Sequence, residues 1–234
     1  MRKSLYYKWC MLKNLPYTLR FNFHYFKPSI AFHLPIVFYS PVKLRSMKGK
    51  IILPENIRFS IISIGLPGNE MFAYNTPNIW NDQGGQIIFQ GSFGTNPGAS
   101  FVIRNNALLQ IGAKSSFGQN LKILCSKDIK MGEELLASWD ITIMDTDSHY
   151  FFNLKTDELS EFSKPIEIGN HCFIGSSSCI LKGSRLPHGA IVASHSIITK
   201  IMEKENSLYG GIPAKHIKSD IIYHHSLVSG KISD

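Results

Sequence analysis

Starting at Ile168 and stepping by six, the chain places Ile174, Ile180, Leu186, Val192 and Ile198 in an unbroken aliphatic column. Four residues after each of the first five members stand Cys172, Ser178, Ser184, Ala190 and Ser196, all small. Gly169 and Gly175 follow the first two column residues, and Gly183 and Gly189 fall in the intervening turns, where backbone freedom is needed. A second column with the same step runs Ile111, Phe117, Ile123, Ile129, Leu135 and Ile141. Its small position is less regular, reading Ser115 and then Leu121, Lys127, Glu133 and Trp139.

A period of six fits neither the helical repeat nor the alternation of a long strand. It predicts short strands separated by corners, each strand sending one aliphatic side chain to a common axis, with three faces to a turn. Successive turns then stack at about the 4.8 Å spacing of paired strands. The stack buries a continuous core that no single repeat could bury alone. The expected class is therefore all-β, a parallel β-helix. Separate strands of a sandwich would not keep so strict a step through two runs.

The two columns are out of phase, because the interval from Ile141 to Ile168 is not a multiple of six. The segment between them, containing MDTDSHYFFNLKTDELSEFSKP, predicts a loop extruded over 142–165. Loops that leave a regular solenoid are where function collects. The expected organisation is an aromatic, basic extension over 1–48 without a hexad, a coil over 49–218, and a short C-terminal tail over 219–234. The extension would cap the exposed edge of the first turn. Its Tyr, Trp, Phe and Lys content leaves open a second place for it, on an anionic membrane surface beside lipid-linked glycan intermediates.

Composition narrows the partners. With 234 residues, 44% hydrophobic and 18% charged, the chain can fill one large core and shows no signature of disorder. No apolar stretch suits a bilayer span. Cys10, Cys125, Cys172 and Cys179 form no C-x-x-C pair, and Met1-Arg2-Lys3 precedes no signal core, so a reduced, cytoplasmic protein is expected, with the inner face of the membrane as the alternative site. The net charge of +8 favours polyanions. Helix-turn-helix, zinc-finger and ribonucleoprotein patterns are missing from the sequence, so no nucleic-acid partner is expected. His171, His188, His216, His224 and His225 lack the spacing of a metal site and read as surface imidazoles; no metal is expected.

The segments SWDITIMDTDSHYF, KPIEIGNHCFIGSSSCILKGSRLPHGAIVASHSIITK and GGIPAKHIK resemble the hexapeptide-repeat acyltransferases. Within that family the resemblance is to the branch containing galactoside and maltose acetyltransferases and bacterial capsule or O-antigen O-acetyltransferases. The resemblance covers about Gly85 to Lys218. It implies a left-handed coil, an exception to the usual crossover hand, and a homotrimer with sites between neighbouring subunits. It also implies acetyl-CoA as acyl donor and His149 as the general base that deprotonates an acceptor hydroxyl. On that resemblance Asp147 and Asp145 either orient the imidazole or cap turns of the loop. Trp139 forms an apolar wall for the acceptor or packs a corner. Ser176, Ser194, Thr199 and Lys200 fall on pantetheine-groove positions, and Lys215 and Lys218 on those near the phosphates of CoA.

The resemblance thus implies acetyl transfer to a sugar hydroxyl of a surface polysaccharide or its precursor. A small-molecule acetyltransferase acting on a free sugar, amino sugar or antibiotic is the alternative within the class, and a catalytically silent β-helix scaffold the alternative outside it. Three departures bear on the acyl donor. His171-Cys172-Phe173-Ile174-Gly175 replaces H-x-W-I-G, Pro187 replaces a usual glycine, and Ser194-His195-Ser196 replaces A-G-S, placing an imidazole where the groove expects none.

Overall fold

The computed structural model describes residues 3–68, 71, 73 and 75–224; the end of the expected tail, from 225 on, lies outside them. Successive strands visit three parallel sheets in rotation, which number nine, seven and six strands among the described residues. Phe173–Ile174 lies in the first sheet, Cys179–Leu181 in the second and Arg185–Leu186 in the third. Ile191–Val192 then returns to the first sheet beside Phe173–Ile174. The inward positions along the column are buried: Ile168, Ile174, Ile180, Leu186, Val192 and Ile198 are each at most 4% exposed.

Turn length changes along the coil. Ile174 stands opposite Val192, and Ile180 opposite Ile198, each 18 positions on, which is three hexads. Higher up, Ile123 stands opposite Ile143, 20 positions on, and Phe101 opposite Ile123, 22 positions on. The upstream register expected from six-residue steps is therefore corrected. Ala137, not Leu135, faces Ile174, and Ile143, not Ile141, faces Ile180. Leu135 and Ile141 are buried nonetheless, but in the row of corner residues. The extra residues lengthen the corners, and the step of six matched them only by spacing.

The filling follows the turn length. The wider upper turns enclose Trp80, Phe89, Phe93, Phe101 and Phe117, whereas the 18-residue turns enclose Ile and Val. A longer perimeter leaves more volume at the axis, and interiors pack to near-crystalline density, so larger side chains fill it. In the tight turns the backbones of adjacent coils come close. A Cβ on Gly175 would sit 2.5 Å from the Ser194 nitrogen, closer than a carbon can approach.

The coil also starts earlier than the expected boundary at residue 48. Ile36–Phe38 pairs with Ile62–Ile64, and Val42–Met47 with Asn78–Asp82, so both belong to the stack. A helical segment precedes them, with α1 spanning Lys3–Lys13, α2 Leu15–Tyr25 and α3 Pro28–Ala31. One face of α2 covers the open edge of the first strand. Asn22 donates from Nδ2 to the Ile36 carbonyl at 2.7 Å and accepts from the Ile36 N–H at 3.2 Å. Thr18 Oγ1 accepts from the Phe38 N–H at 3.1 Å. Backbone groups that would be a template for pairing are thereby occupied. Phe21, fully buried, meets Phe38 and Trp80 edge-on at 5.1 and 4.8 Å between ring centroids.

Candidate active site

After Thr142–Met144 the chain leaves the second sheet and returns at Ile166–Ile168 in the third. The extruded segment is tied at its base by an antiparallel bridge between Thr146 and Ser163 and carries a short hairpin, Phe152–Asn153 with Glu158–Leu159. His149 sits on this segment, exposed, and its ring makes no hydrogen bond among the described residues. Its neighbours on both sides are held. Ser148 has φ +60, and its Oγ receives a hydrogen bond from Arg104 Nη2 at 3.3 Å. The same guanidinium lies 5.5 Å from the centroid of the Phe162 ring, which packs 5.0 Å from Tyr150. The loop thus presents a solvent-facing imidazole between two anchored residues.

The two aspartates do different things. Asp145 is fully buried and accepts from the N–H groups of Ser126, Lys127 and Asp128 at 2.7, 2.8 and 2.9 Å. Its oxygens serve the backbone of the adjacent coil at 126–128, neither a turn of the loop nor the imidazole. Asp147 lies nearer His149 in sequence, but its carboxylate meets Lys182 Nζ at 2.6 Å, a half-buried ion pair. Neither carboxylate has a hydrogen bond to His149.

Five of the remaining expected residues, Trp139, Ser176, Ser194, Thr199 and Lys200, fall at the two corners flanking the second sheet. Trp139, Ser176 and Ser194 stack at the corner before it, where the Ser177 N–H donates to the Trp139 carbonyl at 2.9 Å and Ser176 Oγ to Ser194 Oγ at 3.1 Å. His195 follows with φ +58, in the left-handed region that glycine occupies most freely, and its imidazole is exposed. Thr199 and Lys200 lie at the corner after the sheet, in a groove of about 550 Å³ that Lys164, Lys182, Gly183 and Ile201 also line. Lys182 therefore connects the His149 loop to that groove. Lys215 and Lys218 are exposed on Ala214–Lys218, an antiparallel strand beyond the last parallel strand of the first sheet. They are not in the groove with Lys200, although Gly210, the register partner of Lys215, lies close to Ala193 at the Ser194 corner.

His171 is taken up by structure: its ring lies 4.5 Å from Tyr223, its Nε2 3.1 Å from the Tyr223 carbonyl and its Nδ1 3.4 Å from Glu134. Burial pushes the Cys172 thiol up to about 12, leaving it no thiolate at neutral pH. Among the described residues no group of three His, Cys, Asp or Glu could hold a metal ion, and no helix is long and apolar enough to cross a membrane. His225 lies outside the described residues.

No family model matches the chain. It is 29% identical over 140 residues to a polysialic acid O-acetyltransferase of Neisseria meningitidis, across 59% of this chain and 65% of that protein. The chain thus spans just under two thirds of that relative. It is 30% identical over 191 residues to an uncharacterised 24.8 kDa protein in the cps region of Klebsiella pneumoniae, across 78% of this chain and 81% of the other. In fold it is similar to the crystal structure of a polySia-specific acetyltransferase, at a TM-score of 0.55 and 19% identity over 82% of this chain and 79% of that one. These likenesses agree with the resemblance to the hexapeptide-repeat acyltransferases.

The sequence pattern did not mark Arg104, Lys164 and Lys182. Arg104 and Lys182 act across space, on Ser148 and on Asp147 respectively, with no local pattern to mark them. The one available signal for Lys182 was position. It stands 18 positions before Lys200, the offset that pairs Ile180 with Ile198, so the two lysines lie one turn apart on the same corner.

Proposed function

We propose that this acyltransferase moves an acetyl group from acetyl-CoA to a sugar hydroxyl of a surface polysaccharide or its precursor, with His149 as general base. The observation that carries the reading is the attachment of the loop to the groove. Asp147, two residues before His149, is held by Lys182, and Lys182 shares the groove with Thr199 and Lys200. A polysaccharide acceptor is favoured by the two relatives, one acting on polysialic acid by name and one lying in a cps region.

A sugar hydroxyl is a poor nucleophile until its proton is removed, and that is the task assigned to the solvent-facing imidazole of His149. As His149 takes the hydroxyl proton, the oxygen attacks the thioester carbon and forms the C–O bond. The C–S bond then breaks, and the departing thiolate recovers the proton from the imidazolium. No acyl-enzyme is required. Ser176 and Ser194 on one corner and Thr199 and Lys200 on the other are the proposed walls of the pantetheine path, with Lys215 and Lys218 meeting the phosphates. Trp139 is the proposed apolar wall on the acceptor side. The coil is taken as a left-handed β-helix and the working unit as a homotrimer, in which the loop of one subunit faces the groove of the next.

The test is release of free thiol from acetyl-CoA by the wild-type chain against a panel of acidic and neutral polysaccharides, their oligosaccharides, free sugars and amino sugars. Release that depends on a glycan supports the reading. Release with small acceptors alone moves it to the small-molecule alternative. Failure to bind CoA at all refutes transfer and leaves a scaffold.

A further inference from the structure

The positive charge of the chain is concentrated at one end. Residues 1–54 hold ten Lys or Arg and no Asp or Glu, which leaves 15 cations (25 − 10) against 17 acids in the other 180 residues. The net charge of +8 therefore resides wholly in the helical cap and first turn of the coil, and the rest is slightly acidic.

The same end exposes apolar side chains in a pattern. On α1, Leu5, Trp9 and Leu12 follow each other at four and three residues, which puts them on one helix face, and they are 59%, 54% and 60% exposed. Lys8 and Lys13, both exposed, flank that stripe on its two sides, and Lys13 Nζ lies 5.2 Å from the Trp9 ring centroid. On α2, Leu19 and Phe23 are exposed on the side away from buried Thr18, Phe21 and Asn22, and Phe23 meets exposed Phe32 edge-on at 5.0 Å. The cap needs only the buried face of α2 to cover the strand edge, so capping does not explain this outer surface.

An apolar stripe bordered by cations, with an indole at its centre, has the chemistry of the bilayer interface, where the aromatic sits at headgroup depth and lysines meet anionic headgroups. A hydrated polyanion would use the lysines and leave three large apolar side chains in water. We propose that the α1–α3 cap docks this enzyme peripherally on an anionic lipid surface through Leu5, Trp9 and Leu12, with Lys8 and Lys13 contacting headgroups. This inference uses none of the residues placed at the acyl-transfer site.

The test is co-sedimentation of the full chain with phosphatidylglycerol/phosphatidylcholine vesicles and with phosphatidylcholine alone, with Trp9 fluorescence read in parallel. The account predicts binding to the anionic vesicles only, with a blue-shifted Trp emission. The variant Lys8→Glu/Lys13→Glu should lose at least about fivefold in partitioning for each lysine replaced. Leu5→Ser/Leu12→Ser should lose about tenfold or more while keeping the wild-type circular dichroism and the wild-type thiol release. Three results would overturn the proposal: no sedimentation of folded wild type at low salt, equal binding to both vesicle types, or binding unchanged by the leucine substitutions. A wild-type oligomer that Leu5→Ser/Leu12→Ser dissociates, without vesicle binding, would assign the stripe to a second copy of the chain and overturn it too.

Discussion

The turns between Ile168 and Ile198 and those between Val42 and Asp145 are built on the same three-sheet path, yet they solve the corner problem differently. In the lower turns a corner carries one small buried residue that bonds the next turn, as Ser178 Oγ does in donating to the Ala193 carbonyl at 3.1 Å. In the upper turns the corners are longer, and buried acids and amides hold them. Asp82 accepts from the N–H groups of Gly49, Gly84 and Gly85 at 3.0 to 3.1 Å, and Asp145 from those of residues 126–128. A regular surface is what the proposed path of an extended donor would need. Side-chain clamps tolerate irregular length, and the last of them, Asp145, lies where the extruded loop departs.

That contrast can be broken most severely at the clamp. Asp145→Ala leaves three backbone donors without their acceptor and should destabilise the fold by about 3 kcal/mol or more. Urea unfolding of the folded variant checks this, and Asp145→Asn should recover about half, since one amide oxygen still accepts. In the regular turns the fold should depend on packing instead. Ile180→Ala removes a fully buried side chain from the aliphatic axis and should cost about 2 to 4 kcal/mol by the same measurement. A cost under about 1 kcal/mol would mean that the axis is less tightly filled than its burial indicates.

Smaller effects sharpen the link between loop and groove. Lys182→Met removes a half-buried ion pair, so stability should change by no more than about 1 kcal/mol. Turnover should still fall by roughly tenfold, because small displacements of a positioned base are costly. Equal losses in a variant and its conservative partner, Lys182→Arg, would show that the pair is dispensable to the loop. The smallest effect concerns the thiols. Burial raises both the Cys125 and Cys172 thiols, so neither should react with a maleimide at pH 8 until the coil unfolds. Mass spectrometry of the labelled native chain reads this directly.

The lower coil was legible because an 18-residue turn is three equal hexads, so Ile168 to Ile198 appear in sequence as they stack in space. The upper coil was legible only as buried positions. With turns of 20 and 22 residues, six-residue steps drift by two and four positions a turn, and the drift of two exchanged Leu135 for Ala137. The start of the coil was hidden for the same reason, since Ile62 lies 26 positions after its partner Ile36, and Phe93 a further 31 after Ile62. At the site, resemblance singled out His149, Thr199 and Lys200. Asp145 was ambiguous because an aspartate beside a histidine looks the same in sequence whether it faces the ring or the backbone. Lys182 was invisible because its partner is 35 residues away across the extruded loop.

The central claim is that the regular turns hold the donor while the extruded loop does the chemistry, and one paired measurement separates the two. Calorimetric CoA binding and acceptor-dependent turnover are measured side by side for His149→Ala and Lys200→Ala. The account predicts that His149→Ala binds CoA as wild type does and loses about two to four orders of magnitude in turnover. It predicts that Lys200→Ala weakens CoA binding with a far smaller loss at saturating donor. Unchanged turnover in His149→Ala would contradict it.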